Sequence, residues 1–96
     1  MSGFQSQVWV ADQDGRALIR ADAIVAVGHA GGQVTARLAA VNEPEVLLAT
    51  GSDDAPVPDD FHRQLIRAVA ESADAGGAQL IRAHGDDGWR WVTGPV

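Results

Sequence analysis

Pro58 to Ala75 is the one stretch of this chain whose apolar residues recur at helical spacing over several turns. Phe61, Leu65, Ile66, Val69, Ala70 and Ala73 form a continuous stripe there, the pattern of an amphipathic helix lying on a core. Pro58 suits the first helical position, and Asp59 and Asp60 suit the positive end of the helix dipole. Arg67 and Glu71 stand one turn apart as an ion pair. Gly76 and Gly77 end the segment, since glycine accepts the left-handed conformation of a helix C-terminus. A helix over about 58–75 must then serve a set of strands, because no other segment reads as helical.

Those strands are short and punctuated. Val8-Trp9-Val10 and Arg16–Arg20 flank Asp12-Gln13-Asp14-Gly15, where Asp-Gly favours a hairpin. If that loop spans Asp12–Gly15, Trp9 faces Leu18 and Val8 faces Ile19. Ala21-Asp22-Ala23 reads as a turn or bulge. Ile24–Val27 is a third strand and Gly28-His29-Ala30-Gly31-Gly32 a turn. Gln33–Val41 is a fourth strand, with Val34, Ala36, Leu38 and Ala40 on one face. Asn42-Glu43-Pro44-Glu45 is a turn. Val46–Thr50 is a fifth strand, apolar on both faces and therefore expected at the centre or under the helix. Gly51–Val57 is a polar loop. Ala78–His84 and Trp89–Thr93 form a last hairpin around Gly85-Asp86-Asp87-Gly88. An even loop there sets Leu80, Arg82, His84, Trp89 and Trp91 on one face.

The tetrapeptide Leu-Ile-Arg-Ala begins at Leu18, Leu65 and Leu80. It falls in a strand, a helix and a strand. In the helix Leu and Ile are expected to face inward together, whereas in a strand they must diverge. The three copies are thus not one structural unit.

A length of 96 residues fits a single domain over 1–96 with a loose start at 1–6. A domain this small buries roughly 60% of its unfolded surface, so a second copy could supply further burial. Cysteine is absent, which excludes disulfides and thiolate chemistry and accords with a cytoplasmic setting. The net charge of −6 disfavours nucleic acid and anionic membranes as partners. No apolar run approaches the roughly 18 residues of a membrane span, and the first residues lack the pattern of a secretory signal.

Candidate sites follow from composition and parity. Arg82, His84, Trp89 and Trp91 combine the residue types that dominate protein interfaces. Asp53, Asp54, Asp59 and Asp60 make an acidic surface, but their spacing is not that of an EF-hand. His29, His62 and His84 have no metalloprotease spacing, and no metal or other cofactor is expected. The glycine-rich segment at Gly28–Gly32 leads into a strand, so it lacks the helix N-terminus of a phosphate loop. Ser2, Ser6, Ser52 and Ser72 have no base or nucleophile-elbow context. No enzyme activity is expected.

The expected fold is α+β: an antiparallel meander of about five strands, the helix packed on it, and a C-terminal hairpin (about 78–93) extending the sheet. The expected function is a non-enzymatic protein–protein interaction or regulatory module, with a protein partner or a second copy. Two alternatives are a small-ligand-binding domain with its pocket near Phe61 and the tryptophans, and an acidic inhibitor or immunity-type protein for a basic partner.

Overall fold

The computed structural model describes residues 7–42, 44–75, 77–85 and 88–96. The loose start at 1–6, the turn position Glu43, the helix-ending Gly76 and the Asp86-Asp87 turn lie outside them. Seven strands and one long helix follow in the order β1 (Gln7–Ala11), β2 (Leu18–Arg20), β3 (Ile24–Ala30), β4 (Gln33–Leu38), β5 (Glu45–Thr50), α1 (Phe61–Ala75), β6 (Ala78–His84) and β7 (Arg90–Pro95), with a 3-10 turn at Ala21–Ala23 between β2 and β3. The class is α+β, as the pattern of short strands and one amphipathic helix implies.

The meander is divided between two sheets. One has the order β2-β1-β6-β7 and the other β3-β4-β5. The 3-10 turn at Ala21–Ala23 redirects the chain between them. The C-terminal hairpin does extend a sheet, through a parallel pairing of β6 with β1 that sets Trp9 beside Leu80 and Val10 beside Ile81. All other pairings are antiparallel.

Local chemistry explains the registers. In the first hairpin Trp9 pairs with Arg20 and Ile19 with Val10, whereas a four-residue loop would pair Trp9 with Leu18 and Ile19 with Val8. The Asp12 carboxylate accepts the N–H groups of Arg16 and Ala17 at 3.0 and 3.2 Å. That side chain closes a longer loop, Asp12–Ala17, and shifts the pairing. Gly28, His29 and Ala30 belong to β3, and the turn contracts to Gly31 and Gly32, at φ +60° and +74°. Two consecutive positive φ values fit the tight hairpin turns whose twist matches the strands.

β5 is an edge strand rather than a central one. A bulge opposite Val34 and Thr35 leaves both Leu48 and Ala49 buried, since a bulge turns two neighbouring side chains to one side. This accounts for a strand that is apolar without alternation. Its outer edge is met by the first hairpin loop: the Gln13 N–H donates to the Leu47 carbonyl at 2.9 Å, and the Thr50 hydroxyl bonds the Gln13 side-chain carbonyl.

Helix α1 begins at Phe61, so Pro58, Asp59 and Asp60 precede it. The Asp60 carbonyl accepts from the Arg63 and Gln64 N–H groups. The buried face is Phe61, Leu65, Ala68 and Ser72, rotated from the expected stripe. Ile66 is 59% exposed, and Ala70 and Ala73 are exposed too. Small side chains at 68 and 72 let the helix approach the strands closely, so the inward face is set by size as well as apolarity. Val8, Val10 and Ile81 from one sheet, Val34, Ala36 and Leu48 from the other, and Phe61 and Leu65 from α1 share one core.

Candidate functional site on the open face of the four-stranded sheet

The β6–β7 register separates Trp91 from Arg82 and His84, with which an even loop would unite it. Arg82 pairs with Val92, Ala83 with Trp91, and His84 with Arg90. The residues between His84 and Arg90 number five by the chain count, an odd loop, so partners have equal parity. Trp91 therefore sits with Ala83 and Ile81 on the inner face. Arg82 and His84 lie on the other face.

Both tryptophans of the last hairpin pack against the core. The Trp91 ring stacks on Phe61 with centroids 4.4 Å apart, and Trp89 meets Phe61 edge-on at 5.7 Å. Each indole N–H donates to a backbone carbonyl at 2.8 Å, Trp89 to Ala55 and Trp91 to Phe61. These bonds satisfy the polar tips that burial would otherwise leave unpaired. A hollow of about 330 Å³ lies further out, against Trp89, His84 and Gln13.

The open face gathers residues from four strands instead. Parity and pairing place Arg20, Trp9, Leu80 and Gly94 in one row across β2, β1, β6 and β7. Arg82 with Val92, and His84 with Arg90, form the next rows. The Arg20 guanidinium lies over the Trp9 ring, 6.0 Å from its centroid, and pairs with Asp22 at 3.1 Å. Gly94 contributes no side chain beside Leu80. A hollow of about 260 Å³ opens there, lined by Leu80, Arg82, Val92 and Gly94 among others. Trp9, Leu80 and Val92 are half-buried, while Arg20, Arg82 and Arg90 are exposed. The surface is an apolar strip between arginines, on a chain whose net charge is −6.

Arg82 and His84 are thus brought together on one face as sequence parity suggested, with Trp9 on that face in place of Trp91, while His84 still meets Trp89 at the outer hollow. Trp9, Arg20 and Arg90 were missed. The Val8-Trp9-Val10 alternation signals that Trp9 points away from the core. Its neighbours depend on the parallel β1–β6 pairing, for which the sequence carries no local mark.

The acidic residues form no comparable site. Asp53 and Asp54 are exposed in a turn closed by Ser52 and Ala55. Asp59 is exposed, and Asp60 accepts from the Gln64 side-chain amide at 3.0 Å. Among the described residues no three metal-ligating side chains cluster, and no helix is long and apolar enough to cross a membrane. In comparisons with known proteins, no family model, no curated protein and no solved structure matches the chain.

Proposed function

We propose that this chain is a non-enzymatic protein-interaction module whose open four-stranded face binds an acidic segment of a protein partner. The observation that carries the reading is the Trp9–Leu80–Val92 strip flanked by Arg20, Arg82 and Arg90. Tryptophan and arginine dominate the energetics of interfaces, and arginine binds carboxylates through a planar two-pronged contact. Arg82 and Arg90 are both exposed on this face, where a partner can reach them. The absence of cysteine accords with a reducing, cytoplasmic setting.

The test is fluorescence polarisation with a labelled glutamate-rich peptide. Saturable binding that weakens with salt, and that an Arg82→Glu/Arg90→Glu variant loses, supports the reading. Equal binding by that variant and the native chain, or none by either, overturns it.

A second reading is self-association through α1, favoured by a different surface. Ile24, Val25, Val27, Ile66 and Val69 line an apolar groove of about 270 Å³ between α1 and the outer strand β3, and Val25 and Ile66 are more than half exposed. Arg63 and Arg67 lie in the first half of the helix, and Glu71 and Asp74 in the second. An antiparallel pair of helices across a two-fold axis sets the basic half of each against the acidic half of the other. Sedimentation of the native chain and an Ile66→Glu variant separates the two readings, since the open sheet face is untouched by that change.

A further inference from the structure

We propose that His29 and His62 form a two-imidazole site for a borderline divalent transition metal such as zinc, nickel or copper. His29 lies on β3, opposite Val34, on the face that turns toward the core. His62 is the second residue of α1. Their ring centroids are 5.9 Å apart and the planes tilt by 34°. Among the described residues, His29 Nε2 and His62 Nδ1 are the buried side-chain nitrogen or oxygen atoms with no hydrogen-bond partner.

Two neighbouring imidazoles, on separate elements, each present an unpartnered buried nitrogen. Burying a polar atom without a partner is unfavourable, and a packing role alone would be met as well by two apolar side chains. A metal ion satisfies both lone pairs at once. With metal–nitrogen bonds of about 2.0–2.1 Å and each ring centre about 1 Å behind its nitrogen, two imidazoles on one ion place their centroids roughly 5–6 Å apart. The observed separation falls in that range. The donor set also selects the metal: neutral imidazole nitrogen suits zinc, nickel and copper, whereas calcium and magnesium take oxygen ligands. Two protein ligands leave the remaining positions to water.

The test uses the untagged, chelator-treated full chain in a thermal melt with added ZnCl₂, NiCl₂ or MgCl₂. The expected result is a saturable rise of roughly 4–8 °C with zinc and nickel and none with magnesium. The rise is lost in His29→Ala and in His62→Ala and kept in His84→Ala. No rise in the native chain, or a rise that survives either of the first two changes, overturns the proposal. A second readout needs no variant: trace Cu²⁺ should broaden the imidazole NMR signals of His29 and His62 selectively. Broadening confined to His84, or spread evenly over the three histidines, overturns it as well.

Discussion

Trp91 and Phe61 are joined twice: their rings stack 13° from parallel with centroids 4.4 Å apart, and the Trp91 indole N–H donates to the Phe61 backbone carbonyl at 2.8 Å. This double contact fastens β7 to the first turn of α1. Phe61 is fully buried, so Phe61→Ala should cost about 3–5 kcal/mol by lost burial and the cavity left behind. Trp91→Phe keeps an aromatic ring and removes the donor, for about 1 kcal/mol. Urea denaturation should show a lowered midpoint for both at an unchanged slope.

Gly85 is held to glycine by contact rather than by backbone conformation. A Cβ at this position would lie 2.9 Å from the Trp89 ring, and the ring is anchored by its bond to the Ala55 carbonyl. Gly85→Ala should therefore destabilise by about 1–3 kcal/mol through overpacking. A Trp89→Leu/Gly85→Ala double variant should show a smaller penalty for the alanine, read as a coupling energy in a double-mutant cycle.

Asp12 sets the first hairpin register through its two backbone bonds. Asp12→Ala should cost about 1–2 kcal/mol, near the range for losing a helix cap that does the same work. Asp12→Asn, which keeps the acceptor oxygen, should recover most of it. Hydrogen exchange at Arg16 and Ala17 should quicken in the alanine variant and stay slow in the asparagine one.

Trp9 differs from the other tryptophans in facing away from the core. Trp9→Ala should reduce stability less than Trp91→Ala while abolishing binding of the acidic peptide. Binding by the native chain should fall as salt rises above about 0.1 M, where exposed charges are screened beyond about 10 Å. A loss of binding from Trp91→Ala in a fully folded variant, with Trp9→Ala unaffected, would place the surface elsewhere.

Much of the local structure is legible in the residues. The α+β class, the helix and all seven strands follow from periodicity and from the Asp, Gly and Pro punctuation. So does the inward face of β4, where Val34 and Ala36 are buried. What fails is register across a turn. One carboxylate at Asp12 lengthens the first loop by two residues, which moves the pairing but keeps each face, whereas an odd count between His84 and Arg90 moves Trp91 to the opposite side of its sheet from Arg82. A slip of one residue flips every side chain, so the candidate surface keeps Arg82 and His84 and exchanges Trp91 for Trp9.

The thrice-repeated Leu-Ile-Arg-Ala shows where the division lies. In β2 and β6 the isoleucine, Ile19 or Ile81, is buried and the arginine points out, because strand alternation is a local rule. In α1 the same tetrapeptide buries Leu65 and Ala68 and exposes Ile66. By itself the sequence determined which segments become strands or helix, since propensity and period act over a few residues. Only the tertiary structure decided which strands share a sheet, which helix face turns inward, and that Trp9 joins arginines from β2, β6 and β7. Those outcomes depend on packing between segments far apart in the chain, where volume and register act and no local pattern records them.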